Sequence, residues 1–270
     1  MQRGDRSGAL GAIVRAVAAG LDGRLGLVVR MVGEGEPVVA LNADASFPSA
    51  SIIKLPILWS FFRAVDAGEL DPSERAPLAP GAIVEGSGVL RHLDPDLQLT
   101  LLYLATLLIV VSDNSATNAL IDRLGIERVN DELAALGLTG TALKRRMFDF
   151  EARARGHDNV TTPGDMARLL DLFVRGDGLS VESTARARRI LLGQQLHSAL
   201  PARLPFGAPW AHKTGGLPGV VHDAGWLEGD DGRKVVVAAF TDGLRNDDDG
   251  TRALARIGEA VAHWLGVSGR

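Results

Sequence analysis

The stretch Phe47-Pro48-Ser49-Ala50-Ser51-Ile52-Ile53-Lys54 is the part of the sequence on which the predicted fold and chemistry depend. Pro48 and the small residues after it suit the start of a helix over residues 51–68, with Ser51 in its first turn and Lys54 one turn later on the same face. A serine hydroxyl needs a base to become a nucleophile, and a lysine held neutral by burial or nearby cations can take its proton. Alone, Ser-x-x-Lys is weak evidence, because the pattern far more often marks a capping serine and a surface lysine.

A polar turn, Ser112-Asp113-Asn114, directly follows the very apolar segment Leu99–Val111. The apolar segment predicts a helix buried on all sides, and Tyr103 within it, the only tyrosine of the chain, is therefore expected in the core. A hydroxyl and an amide at the end of a buried helix can point into a cleft, with Asp113 holding the turn through hydrogen bonds to backbone. The alternative is a simple polar turn that ends the helix.

Further along the chain, Lys213-Thr214-Gly215-Gly216 lies on a predicted strand. A strand lysine beside a hydroxyl can receive a carboxylate, and glycines let a substrate backbone approach closely. The alternative is an edge-strand lysine that protects the sheet from aggregation. Because side chains alternate along a strand, His212 is expected to face away from Lys213, and the neighbours His222 and Asp223 are interpreted as structural rather than as a catalytic pair.

Strands are predicted at both ends of the chain and helices in the middle, which favours an α+β fold of the α/β sandwich type. We expect a mainly antiparallel five-stranded sheet flanked by the N- and C-terminal helices, plus an all-helical lobe. Residues 1–47 and 201–270 would form the α/β lobe and residues 48–200 the helical lobe, with the active site in the cleft between them. The predicted sheet strands and terminal helices are Leu25–Val32, Pro37–Leu41, Trp210–Gly215, Val220–Glu228, Lys234–Thr241, 8–20 and Asp247–Leu265.

The three motifs together resemble a known family. Ser51-x-x-Lys54, Ser112-Asp113-Asn114 and Lys213-Thr214-Gly215 follow in the order, and at about the intervals, of class A β-lactamases and other penicillin-recognising serine hydrolases. The Phe47-Pro48 lead-in and Thr161-Thr162-Pro163 are similar to that family too, and the resemblance covers nearly the whole chain. It implies a β-lactamase/transpeptidase-like fold and neither a metal nor another cofactor.

The resemblance also implies a role for each motif residue. Ser51 would attack the substrate carbonyl and become acylated, with Lys54 as the base and Ser112 relaying a proton to the leaving nitrogen. The backbone N–H groups of Ser51 and Gly216 would form the oxyanion hole. The substrate-binding residues would be Asn114, Lys213, Thr214, Gly215 and Gly216.

The segment 144–153, Lys-Arg-Arg-Met-Phe-Asp-Phe-Glu-Ala-Arg, departs from the family pattern. Class A enzymes place a glutamate there, in a Glu-x-x-Leu-Asn context, to activate the water that hydrolyses the acyl-enzyme. Counting back from Thr162-Pro163 puts Arg145 or Arg146 at the expected glutamate. Without a replacement base, acylation would proceed and hydrolysis would stall.

Glu151 and Asp149 are the nearest carboxylates, and Glu151 is the candidate catalytic replacement. The alternative is that both are surface charges paired with Arg153 or Arg155. The basic run Lys144–Arg146 is most typical of a solvated face; the alternative is that one of its arginines pairs with Asp158 and closes the loop.

Three functions are compatible with these motifs. The first is a serine hydrolase that opens a β-lactam ring through an acyl-Ser51 intermediate, with slow deacylation if no base replaces the glutamate. The second is a penicillin-binding-protein-like DD-peptidase or an esterase with the same serine chemistry, which the missing glutamate favours. The third is a non-catalytic binding module, which predicts the loss of a motif residue, whereas all three motifs are intact.

Composition narrows the remaining possibilities. The 270 residues carry a formal net charge of −4 and contain no cysteine, which argues against a nucleic-acid partner and excludes disulfides. No cluster of metal ligands at zinc spacing is recognised. The longest apolar stretch, Leu101–Val111, is too short to span a bilayer. With no recognisable secretory signal we expect a cytoplasmic monomer acting on a small β-lactam or acyl compound, or a secreted or periplasmic one if an export signal has been trimmed.

Overall fold

The computed structural model describes residues 3–78, 81–94 and 96–268. Its strands are β1 (Arg24–Met31), β2 (Val39–Leu41), β3 (Phe47–Pro48), β4 (Arg75–Ala76), β5 (Leu99–Thr100), β6 (Val160–Thr161), β7 (Trp210–Leu217), β8 (Val220–Glu228) and β9 (Lys234–Asp242). Five of them form one sheet in the order β2-β1-β9-β8-β7, in which every neighbouring pair is antiparallel. The expected five-stranded antiparallel sheet is therefore confirmed.

The described helices are α1 (Arg3–Ala19), α2 (Lys54–Asp66), α3 (Leu101–Val110), α4 (Asn114–Leu124), α5 (Ile126–Ala135), α6 (Phe150–Ala154), α7 (Pro163–Arg175), α8 (Val181–Leu192) and α9 (Asp247–Leu265). Within the described ranges, three short 3-10 helices occupy Ala50–Ile53, Leu90–His92 and Leu200–Arg203. None of the helices in the described ranges is both long and apolar enough to cross a membrane.

A hydrophobic core lies on each face of the sheet, and the side chains of β9 contribute to both cores. Its side chains alternate between the faces, so Val235 and Val237 pack with α1 and α9, while Val236 and Phe240 pack with the helical core. A strand in the middle of a sheet covered on both sides reads as a nearly continuous apolar run, as residues 235–240 of β9 do. The terminal helices thus cover one face, and the helices from the middle of the chain cover the other.

Helix α2 lies at the centre of the helical core. Every residue from Lys54 to Phe62 is buried, and α2 contacts α3, α4, α5, α7 and α8. The central position of α2 also buries the amine of Lys54, which must therefore find polar partners. The predicted lobe boundaries near residues 47 and 200 stay predictions.

Two local predictions differ from the structure. The predicted helix over 51–68 begins as a 3-10 turn, and α2 starts only at Lys54. The prediction that the helix ending at Val110 is buried on all sides is wrong, because the side chain of Tyr103 is 54% exposed. One face of α3 packs on α2, α4 and α8, and the other face is exposed to solvent. Because the sequence of α3 is almost uniformly apolar, it does not indicate which face is exposed.

Candidate active site

Ser51 lies in the 3-10 turn Ala50–Ile53, between β3 and α2. The chain is tied down just before the turn: the Pro48 carbonyl accepts a hydrogen bond from Nε2 of His222 at 2.8 Å, and the Ser49 N–H donates to the Asn159 carbonyl at 2.9 Å. Ala50 has φ +44°, in the left-handed region that costs a residue other than glycine about 1–3 kcal/mol. The surrounding contacts therefore hold Ser51 in a turn that the local sequence does not favour.

Lys54 is completely buried one turn after Ser51. Its Nζ lies 2.7 Å from the Ser112 carbonyl oxygen, 3.1 Å from Ser112 Oγ and 2.8 Å from Asn114 Oδ1. Burial holds the pKa of Lys54 well below its usual range, the positive charge of Lys213 lowers it further, and the Asp113 carboxylate partly opposes both. A lysine whose pKa is lowered in this way gives up its proton more readily and can act as a base.

The Ser112-Asp113-Asn114 turn joins α3 to α4 and anchors a second loop. Asp113 Oδ1 accepts the Ala116 N–H at 2.9 Å and so caps α4, while Oδ2 accepts the N–H groups of Val89 and Leu90 at 2.7 and 2.9 Å. A Cβ on Gly88 would lie 2.3 Å from Asp113 Oδ2, so this close approach requires glycine. The predicted role of Asp113 as a backbone anchor is confirmed, and through it the loop before α3 borders the site.

Strand β7 brings Lys213 to the same place from the edge of the sheet. Lys213 is fully buried, its Nζ donates to the Thr214 carbonyl at 2.7 Å, and burial lowers its pKa to about 7 against the opposing effect of Asp223. A Cβ on Gly215 would lie 3.1 Å from Ile52 Cγ1 and 3.2 Å from Ala50 Cβ. The glycine therefore lets β7 pack directly against the turn that carries Ser51.

Two cavities meet at Ser51. The strand-side cavity has a volume of about 480 Å³ and is lined by Ser51, Ser112, Thr214, Gly215, Gly216 and His222, among others. The loop-side cavity has a volume of about 400 Å³ and is lined by Ser51, Asn114, Arg145, Met147, Phe148 and Phe150, among others. The structure thus brings together the predicted site residues Ser51, Lys54, Ser112, Asn114, Lys213, Thr214, Gly215 and Gly216. Within the described ranges, no cluster of three or more potential metal ligands occurs.

The loop that contains residues 144–153 is closed by an ion pair. Arg145 is buried, and its Nε lies 2.8 Å from Asp158 Oδ1; Arg153 Nε lies 3.2 Å from Asp158 Oδ2. Asn159 Oδ1 accepts the backbone N–H groups of Lys144 and Arg145 at 2.7 and 3.0 Å. An arginine therefore occupies the loop interior and pairs with Asp158, as the alternative interpretation of this segment predicted.

Glu151 does not reach the cleft. Its side chain is 83% exposed and pairs with Arg155 at 2.7 Å, and Asp149 caps α6 by accepting the Ala152 N–H at 2.8 Å. Neither carboxylate lines the cavities that meet at Ser51. The assignment of Glu151 as a replacement base is therefore corrected to a surface ion pair, because the short helix α6 carries it outward.

His222 is a site residue that the sequence pattern assigned only to structure. It lines the strand-side cavity, donates from Nε2 to Pro48 and accepts the Thr241 N–H at Nδ1 at 3.2 Å, which fixes one neutral tautomer. Burial lowers its pKa to about 4. Its neighbour Asp223 pairs with His212 at 2.8 Å, so the predicted opposite directions of His222 and Asp223 are confirmed. No local pattern marks His222, because its partner lies 174 residues away.

Comparison with known proteins identifies the family. A beta-lactamase from Sphaerobacter thermophilus is 36% identical over 94% of this chain and 96% of its own, with a TM-score of 0.86. A mutant of PBP-A, solved as an acyl-enzyme complex with penicillin G, is 33% identical over 95% of each chain, also with a TM-score of 0.86. The TLA-1 extended-spectrum beta-lactamase covers 96% of this chain and 99% of its own at 19% identity and a TM-score of 0.88, which shows a shared fold. Because the model of the beta-lactamase enzyme family also matches residues 9–265, the chain belongs to that family of hydrolases.

Proposed function

We propose that the protein is a class A-like serine enzyme that β-lactams acylate at Ser51 and that releases the acyl group slowly. The observation that carries this proposal is the buried Lys54 amine, which contacts Ser112 and Asn114 one turn after Ser51. A buried amine with a lowered pKa is the base that a serine nucleophile requires. The similarity to a PBP-A mutant solved as a penicillin G acyl-enzyme supports the same substrate class.

In the proposed acylation step, neutral Lys54 takes the Ser51 hydroxyl proton while Oγ attacks the lactam carbonyl. The N–H groups of Ser51 and Gly216 stabilise the oxyanion. The carbon–nitrogen bond of the lactam then breaks, and the Ser112 hydroxyl gives its proton to the leaving nitrogen. Lys54, at 3.1 Å from Ser112 Oγ, returns a proton to Ser112, so the lysine ends neutral again.

Substrate recognition in this proposal uses the residues on both sides of Ser51. Lys213 and Thr214 bind the substrate carboxylate from β7, which is the edge strand of the sheet. Asn114 binds the amide of the acyl side chain; its Nδ2 donates to the Glu85 carbonyl at 3.2 Å, which orients the amide group. The substrate would then bridge the two cavities, with its reactive carbonyl at Ser51.

Deacylation is expected to be slow because the loop-side cavity has no carboxylate among its lining residues. Hydrolysis requires a group that takes a proton from the attacking water. Arg145 lines this cavity, and a guanidinium does not give up its proton at ordinary pH. The same observation favours a second candidate function, a DD-peptidase or esterase that passes its acyl group to an acceptor other than water.

Intact-mass spectrometry after treatment with benzylpenicillin tests the proposal. The wild-type protein should gain the mass of one benzylpenicillin, and Ser51→Ala should gain none. Ser49→Ala is the matched control, since Ser49 is a buried serine two residues away that lines neither cavity. Labelling of Ser51→Ala, or no labelling of the wild-type protein by any β-lactam, would overturn the assignment.

A further inference from the structure

The loop-side cavity has an aromatic wall that the proposed chemistry does not use. Phe148 and Phe150 lie with their ring centroids 4.9 Å apart at 71°, and both are exposed although they line the cavity. The cavity also contains Ser51 and Asn114. A group attached to the acyl carbonyl would therefore extend from Ser51 past Asn114 towards these rings.

The wall is held in place by contacts from distant parts of the chain. Asn118, which is buried, accepts the Met147 N–H at 2.8 Å and donates to the Met147 carbonyl at 3.2 Å. Phe148 has φ +65°, in the left-handed region, and its carbonyl accepts the Phe150 N–H at 2.9 Å. The two rings are therefore presented by a fixed backbone, and apolar surface fixed in this way is prepared for a ligand.

Gly86 sets the position of the Phe148 ring. A Cβ at Gly86 would lie 2.4 Å from Phe148 Cε2 and 2.8 Å from Asn114 Nδ2. A side chain at residue 86 would therefore displace the Phe148 ring or the Asn114 amide. The apolar wall thus begins beside the group proposed to bind the substrate amide.

The charges that border this cavity are mainly positive. Arg145 and Arg153 both line it, and they share the single carboxylate of Asp158. The other acidic groups of the loop are engaged elsewhere, Glu151 with Arg155 and Asp149 with the start of α6. Two guanidinium groups that share one carboxylate leave a net positive charge, which disfavours a cationic ligand.

We propose that this cavity, lined by Met147, Phe148, Phe150, Arg145 and Arg153, selects acyl substrates whose side chain is a neutral or anionic aromatic group. This inference rests on the proposed acylation of Ser51 and names the substrate class of that site. An aromatic side chain gains edge-to-face contacts with the phenylalanine rings. An ammonium group beside the aromatic ring meets the uncompensated positive charge and binds less well.

Penicillins that share one nucleus and differ only in the acyl side chain test the proposal. The second-order rate constant of acylation is expected to be about tenfold higher for benzylpenicillin than for the analogue with methyl in place of phenyl. Carbenicillin, with a carboxylate beside the ring, should react faster than ampicillin, with an ammonium group there. Equal rate constants across the series, with acylation intact, would overturn the side-chain selection and leave the proposed function standing.

Variants separate the aromatic contribution from the charge. The ratio to follow is the acylation rate constant of benzylpenicillin divided by that of the analogue with methyl in place of phenyl. This ratio should fall in each of the variants Phe148→Ala, Phe150→Ala and Gly86→Ala. Phe206 is an exposed phenylalanine outside both cavities, so Phe206→Ala should leave the ratio unchanged. Arg153→Gln should narrow the carbenicillin-to-ampicillin ratio. A ratio that Phe206→Ala lowers as much as Phe148→Ala would contradict the proposal, and acylation of none of the penicillins would instead refute the proposed function.

Discussion

The guanidinium of Arg145 and the carboxylate of Asp158 form an ion pair inside the loop that borders Ser51, with Nε 2.8 Å and the terminal nitrogen 2.7 Å from Oδ1. Only 8% of the Arg145 side chain and 23% of the Asp158 side chain are exposed. The loop is therefore closed by a charge pair that provides no base. This pair both shapes the loop-side cavity and explains why hydrolysis of an acyl-enzyme is expected to stall.

The ion pair should contribute measurably to stability. Asp158→Asn removes the counter-charge of a buried guanidinium, so the free energy of unfolding in urea should fall by about 2 kcal/mol, discounted from a fully buried pair because Asp158 is partly exposed. Glu151→Gln breaks a solvent-exposed pair on the same loop and should cost less than about 0.5 kcal/mol. Equal losses in the two variants would show that the Arg145 pair has no special role.

Lys54 should be indispensable for acylation. Lys54→Met keeps the length of the side chain and removes the base, so the second-order rate constant for benzylpenicillin should fall by about a thousandfold or more in stopped-flow measurements. Lys144→Met changes an exposed lysine outside both cavities and should leave the rate constant unchanged. A Lys54→Met protein that retains fold and rate would mean that another group activates Ser51.

The loss of the positive charge of Lys213 should make the acylation rate constant for benzylpenicillin decrease at high pH. Because its pKa is about 7, the amine is positively charged below that pH and neutral above it. The rate constant for benzylpenicillin should therefore decrease as pH rises through about 7, since the attraction for the substrate carboxylate is lost. The methyl ester of benzylpenicillin has no carboxylate to attract, so the same decrease in both pH profiles would argue against Lys213 as the anchor.

Protonation of His222 should destabilise the protein in acid. Its pKa is about 4 in the fold and 6.5 ordinarily, so the unfolded chain binds more protons between these values, and stability is lost as pH falls from 6.5 to 4. The shift corresponds to about 3 kcal/mol. His222→Gln keeps a donor for the Pro48 carbonyl but does not titrate, so urea unfolding from about pH 7 to about pH 4 should show a smaller loss for the variant. Parallel losses in both proteins would locate the acid sensitivity elsewhere.

The sequence predicts those parts of the fold and of the site that are determined by residues close together in the chain. Strand β9 is apolar from Val235 to Phe240 and helix α2 is mostly apolar, so their patterns indicate burial directly. Lys54, Ser112 and Asn114 lie in short motifs with defined spacing, and the structure places the Lys54 amine within hydrogen-bonding distance of both Ser112 and Asn114.

Local sequence patterns do not predict features that depend on contacts between residues far apart in the chain. Glu151 faces solvent because the short helix α6 carries it outward, whereas the sequence left open whether it is a base or a surface charge paired with an arginine. The Phe148 ring occupies the space that a Cβ on residue 86 would need, a relationship across 62 residues, from 86 to 148. The His222 contact with Pro48 joins residues 174 apart.

A stopped-flow time course with nitrocefin, followed in parallel by intact-mass spectrometry, tests the slow-release acyl-enzyme most directly. The account predicts a rapid burst of about one equivalent of product per protein, a slow steady state, and a covalent adduct that persists on Ser51. Rapid linear turnover from the first moment with no accumulated adduct, or an equal burst from Ser51→Ala, would contradict it.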